Sequence, residues 1–149
     1  MANSDTIKQH QSFPIAGGLT ATIASLITLA YTISGFIQNV NQQQPSVYYS
    51  GYAYAGYSVM AWLGVLALAF GWSGIAYTIE RKHFALSVVG ISFISASCIV
   101  EARVLYYIPP TNGPPMISPY YSALPLIFMQ LLFSLAGIIL VAASRHQFS

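Results

Sequence analysis

The chain has 149 residues, of which 56% are apolar and only 5% are charged, against about a quarter charged in ordinary soluble domains. A water-soluble domain needs a charged shell to stay dispersed, so this composition excludes one and makes the bilayer the main solvent. The formal charge of +2 is too small to call for nucleic acid, and the basic residues do not cluster beyond Arg81-Lys82.

The first apolar run covers 13–37 without a charge. A secretory signal has an apolar region of only about 7 to 15 residues, so this run reads as a retained membrane helix. Pro14 stands at its start, where a missing N–H costs little. The next segment, 38–54, is uncharged, rich in Asn, Gln, Ser, Gly and Tyr, and reads as a loop.

The second span is expected at 55–79 and the third at 84–108, joined by the short polar turn Glu80-Arg81-Lys82-His83. A turn that short makes them a tight hairpin. After the third span, Pro109, Pro110, Pro114, Pro115 and Pro119 forbid a continuing helix and stiffen the connection. The fourth span is expected at 120–143. Each span is long enough to cross a hydrocarbon core of about 30 Å. Backbone groups in lipid must pair within their own segment, which favours helices, and the alternation of a membrane β-barrel is absent.

The fold class is therefore all-α: one integral membrane domain, an antiparallel four-helix bundle. Lys8, Arg81, Lys82 and Arg145 fall on one side of this arrangement. Basic residues mark the cytoplasmic side, so both termini are expected inside, in a multi-pass protein of the cell membrane. Tyr48, Tyr49, Tyr52, Tyr54, Tyr57, Tyr106, Tyr107, Tyr120 and Tyr121 gather at the outer face. They read as an aromatic interface belt or as a surface that docks a partner subunit or an aromatic ligand.

Helices in lipid associate where small residues let backbones approach. Gly17, Ala21, Ala24, Thr28 and Gly35 form such a stripe on the first span. Gly64, Ala67, Gly71 and Gly74 form one on the second, Ser87, Gly90 and Ser97 on the third, and Ser134 and Gly137 on the fourth. These faces serve either the bundle itself or contacts to another subunit.

Two charged residues and one amide stand inside the spans. Glu101 lies about 25 Å along the third span at about 1.5 Å per residue, in the outer part of the bilayer. It shares a face with Ser97, Ile94, Gly90 and Ser87 and is expected to point into the bundle. An ionisable residue inside a membrane is by default a candidate proton or cation site. Its bland alternative is a hydrogen bond that fixes a helix end. Arg103, two residues on, points to a different face and can snorkel outward. Gln130 aligns with Ser134 and Gly137 and is expected to make an interhelical bond.

No chemistry-bearing motif rises beside these. His10, His83 and His146 all lie outside the spans, so no haem ligand, other cofactor or metal site is expected. Cys98 is the single cysteine, in an apolar run, and reads as a buried small residue. The stretch Phe13-Pro14-Ile15-Ala16-Gly17-Gly18-Leu19, and Arg81-Lys82-His83-Phe84-Ala85-Leu86 leading to Gly90, resemble small prokaryotic four-helix membrane proteins of unknown function. The resemblance implies a topology and no activity. The functional expectation is a non-enzymatic accessory or structural protein that packs against other membrane subunits or itself. The alternative is an oligomeric transporter or channel-like protein using Glu101.

Overall fold

A computed structural model describes residues 12–42, 51–107 and 119–149, with side chains for 12–40, 55–104 and 123–149. Four long helices account for most of it: α1 (Phe13–Gln42), α2 (Gly51–Glu80), α3 (Phe84–Tyr107) and α4 (Pro119–Ala143). A short 3-10 turn follows at Arg145–Gln147. All four helices are long and apolar enough to cross a membrane.

The helices outrun the apolar runs that predict them. Residues 38–42 and 51–54, read from the sequence as loop, are helical. Gln and Asn are tolerated in a helix once its apolar core is nucleated, so α1 continues past its last apolar residues. Proline marks the other boundary: α4 begins on Pro119, and Pro125 lies within it. Pro119 is accommodated because the first N–H groups of a helix have no intrahelical partner, whereas Pro125, further in, removes one i→i−4 bond.

The bundle closes as a ring in which α1 packs on α2 and α4, and α3 packs on α2 and α4. Small residues sit at each seam. A β-carbon on Gly17 would stand 3.1 Å from the Gly137 carbonyl oxygen, and one on Gly137 would stand 3.1 Å from that of Gly17. Gly35 faces Met60 and Ala61, Gly64 faces Thr32, Gly71 faces Ile94, and Gly74 faces Gly90. Ala21 and Ala24 are fully buried among Ile75, Ile91, Ile94 and Val141.

Outside this narrow core the surface is apolar. Trp62 is 63% exposed, Phe128 61% and Ile139 66%. In water such a surface would drive aggregation; in a bilayer it is solvated by acyl chains. Burial here is inverted relative to a soluble bundle, with small and hydroxylated residues inside and large apolar ones outside.

The turn between α2 and α3 has a defined local cause. Lys82 N–H donates to the Tyr77 carbonyl at 2.9 Å, and Arg81 N–H to the Thr78 carbonyl at 3.2 Å. This is the Schellman pattern, which requires a left-handed residue after the helix. Arg81 adopts it with φ 57° where glycine is usual, and His83 follows with φ 50°. The end of the chain then folds onto this turn. Ser149 N–H donates to the Arg81 carbonyl at 3.1 Å, and His83 N–H to the Ser149 carbonyl at 3.4 Å. Phe148 meets Phe84 edge-on at 5.5 Å, and the Arg145 guanidinium stands 5.5 Å from the centre of the same Phe84 ring. Lys82 and Glu80 pair at 3.0 Å on the exposed side, a contact that contributes little to stability.

Candidate functional site

Glu101, Gln130, Ser97 and Thr28 come together inside the bundle, and helical periodicity places each of them. On α3, Ser87, Gly90, Ile94, Ser97 and Glu101 recur every three or four residues, and all are buried. On α4 the same spacing buries Ile127, Gln130, Ser134, Gly137 and Val141. On α1 it buries Ala21, Ala24, Thr28 and Thr32. These three stripes face one another, so Glu101, Gln130 and Thr28 share one interior region.

Gln130 is fully buried and joins the three helices. Its amide nitrogen donates to Thr28 Oγ1 at 2.8 Å and to Ser97 Oγ at 3.1 Å. Each hydroxyl can accept because its own hydrogen goes to its helix backbone: Thr28 to the Ala24 carbonyl at 3.3 Å, Ser97 to the Ile94 carbonyl at 2.8 Å. The hydroxyls therefore turn lone pairs toward the amide and lock its orientation. Further hydroxyl bonds flank the cluster. Ser95 Oγ donates to Ser134 Oγ at 2.8 Å, Trp72 Nε1 to Ser25 Oγ at 3.2 Å, and Tyr31 OH to the Ala123 carbonyl at 2.9 Å.

Glu101 is 2% exposed, and its carboxyl group interacts with the side chains of Ser97 and Gln130. Two oxygens of the cluster, Glu101 Oε2 and Gln130 Oε1, have no hydrogen-bond partner. Buried polar atoms are nearly always paired, and an orphan in lipid costs more than one in reach of water. The cluster thus holds two acceptor oxygens that no donor satisfies; Cys98 Sγ, buried nearby, is committed to the Ile94 carbonyl at 3.6 Å.

Arg103 does not join this cluster. It is exposed, on the face of α3 that carries Ile99, and it lines a groove of about 770 Å³ between α3 and α4. The tyrosine surface divides differently. Tyr48 and Tyr49 lie outside the described residues, as do the side chains of Tyr52, Tyr54, Tyr106, Tyr107, Tyr120 and Tyr121. Tyr57, read with them as part of an outer aromatic face, is instead buried at 9% exposure against Met60 and Val104. The periodicity of α2 turns it inward with Met60, Ala61 and Gly64. Among the described residues no three of His, Cys, Asp and Glu come together as a metal-ligand group. His83 and His146 are exposed, and His10 lies outside the described residues.

Sequence reasoning singled out Glu101 and Gln130 but not the hydroxyls that serve them. Thr28 counts as a small packing residue on its stripe, and Ser25 does not stand out at all. The available signal is that Thr28 and Thr32 continue the Gly17-Ala21-Ala24 face, where any hydroxyl must point inward.

Fold and site together define a multi-pass membrane protein, an all-α bundle whose interior, among the described residues, buries the carboxyl group of Glu101 and the amide of Gln130. No protein-family model matches the chain, and no match is found among curated proteins or solved structures.

Proposed function

We propose that this chain is a non-catalytic accessory subunit of the cell membrane that packs against other membrane proteins. The observation that carries the reading is how the bundle spends its polar groups. Gln130, Thr28 and Ser97 tie three helices together inside, and large apolar side chains dominate the outer faces. α4 is the least enclosed helix: 28% of its membrane window is buried, against 39% to 44% in the others. Its free face, with Phe128, Leu132, Leu135 and Ile139, is the natural surface for a partner.

The bundle runs antiparallel with both termini cytoplasmic. Two contacts of α1 with α4 support the antiparallel reading: Gly17 meets Gly137 and Val141, whereas Tyr31, further along α1, meets Ala123. Arg81, Lys82 and Arg145 stand at the same end, held there by the Ser149 contacts, and basic residues favour the cytoplasmic side.

Purification in mild detergent tests the accessory role. The chain is expected to co-purify with larger membrane subunits. Purification alone as one homogeneous species, with every membrane complex intact after deletion, would sink the reading.

A second reading, favoured by the unpartnered Glu101 Oε2 and Gln130 Oε1, is an oligomeric proton or cation pathway through Glu101. An ionisable residue in a span is a functional group by default. Reconstituted vesicles separate the two: under this reading Glu101→Gln abolishes ion flux while assembly survives, and flux that persists in the variant rules it out.

A further inference from the structure

The Glu101–Gln130 cluster is short of hydrogens. Glu101 is 2% exposed and Gln130 fully buried, and Glu101 Oε2 and Gln130 Oε1 both lack a hydrogen-bond partner. The described donors beside them are committed elsewhere. The Thr28 and Ser97 hydroxyls donate to the Ala24 and Ile94 carbonyls. A primary amide carries two donor hydrogens, and Gln130 directs them to Thr28 and Ser97. Tyr31 on α1 and Cys98 on α3 lie within electrostatic reach of Glu101, but they donate to the Ala123 and Ile94 carbonyls.

An ionised carboxylate brings only acceptors to such a cluster, and a charge with an unpaired oxygen is costly inside a bilayer. One added proton removes both shortages. It turns Glu101 Oε2 into a donor, and the acceptor left over in the cluster is Gln130 Oε1. The two side chains already interact. Reversing the Gln130 amide is no remedy, because its oxygen would then face two hydroxyl oxygens whose hydrogens bond backbone. A metal cation fits less well than a proton. Hard cations take about six oxygens, and the Thr28 and Ser97 hydroxyls already accept from the amide.

We propose that Glu101 is a proton-binding site: it stands as a neutral acid whose O–H donates to Gln130 Oε1, and the shared proton joins α3 to α4. This goes beyond both functional readings, since a proton can be held without being moved; ion flux in vesicles tests movement, and infrared spectroscopy tests holding. Glutamate labelled with carbon-13 at its side-chain carboxyl marks only Glu80 and Glu101. In lipid nanodiscs at neutral pH, in choline chloride, the labelled protein is expected to show a carboxylic-acid band that shifts down in heavy water. The band should vanish in Glu101→Gln. It should persist unchanged in Glu80→Gln, whose side chain is exposed and paired with Lys82. In Gln130→Met, with circular dichroism confirming that the helices persist, the band should move up to the frequency of an acid without an acceptor. A parent protein whose labelled glutamates are both ionised overturns the proposal, as does an acid band that stays in place in folded Gln130→Met. So does an acid band that sodium or potassium chloride replaces with a carboxylate band, which would mark a metal-cation site.

Discussion

Gly74 of α2 and Gly90 of α3 leave each other no room for a side chain. A β-carbon on Gly90 would stand 2.6 Å from Gly74 Cα and 2.5 Å from the Phe70 carbonyl oxygen. The obstructing atoms are backbone, so no rotamer change relieves the overlap; the helices themselves must separate. Gly90→Ala is expected to cost about 2 to 3 kcal/mol, the upper part of the range for overpacking. The buried thiol of Cys98 reports the loss: its maleimide reactivity in micelles should rise at lower denaturant than in the parent protein. An unchanged profile would mean that this crossing is looser than described.

Gly64 and Thr32 form a similar contact with a softer outcome. A β-carbon on Gly64 would overlap Thr32 Oγ1, which donates to the Thr28 carbonyl at 2.8 Å. Gly64→Ala alone is expected to destabilise by about 1 to 2 kcal/mol. Thr32→Ala removes the obstructing hydroxyl, whose backbone bond lies within its own helix. The double variant should therefore recover most of the loss, a coupling that a double-mutant cycle measures. Additive losses would contradict the contact.

Gln130 and Glu101 should respond in opposite ways. Gln130→Met keeps the volume but removes two interhelical bonds, each worth about 0.6 kcal/mol in membranes. Thr28 and Ser97 keep their own bonds to backbone, so the expected loss is only about 1 to 2 kcal/mol. Glu101→Gln places an N–H donor beside a cluster whose orphan atoms are both acceptors. Its stability is expected to equal or exceed that of the parent by up to about 1 kcal/mol. A large loss in Glu101→Gln would show that the carboxylate holds the bundle together, contrary to the geometry.

The end of the chain should act locally. Phe148 packs edge-on against Phe84, a contact worth about 0.5 to 1.5 kcal/mol. Phe148→Ala is expected to loosen the Arg81-to-His83 turn without unfolding the bundle. Hydrogen exchange reads this directly: the amides of His83 and Ser149, bonded to each other's segments, should exchange faster, while those near Gln130 stay protected. Acceleration throughout α3 would mean that the clasp supports the whole hairpin.

Much of this architecture is legible in the chain, because length, hydropathy and a 3.6-residue period are local properties. The four spans follow from long apolar runs, three of them charge-free and the third interrupted only by Glu101 and Arg103, and the inward face of α3 follows from Ser87, Gly90, Ile94, Ser97 and Glu101 recurring at three and four. Helix ends were less legible: 38–42 and 51–54 are polar enough to read as loop yet continue their helices, since a nucleated helix propagates into residues of modest propensity. The burial of Tyr57 was hidden for a related reason. Its neighbours in sequence are surface-type tyrosines, whereas its burial depends on the rotation of α2.

The sequence by itself determined that this is a four-span membrane chain with one carboxylate, one arginine and one central amide inside the spans. Composition and periodicity suffice for that, because lipid demands helices and punishes stray charge. Only the tertiary structure decided which of these residues meet. The amide of Gln130 finds Thr28 at a sequence separation of 102, Gly74 finds Gly90, and Arg103 is left facing a groove while Glu101 is enclosed. Those choices depend on the rotation and axial register of each helix against its neighbours. Both are set by packing across the whole bundle, and no local pattern encodes them.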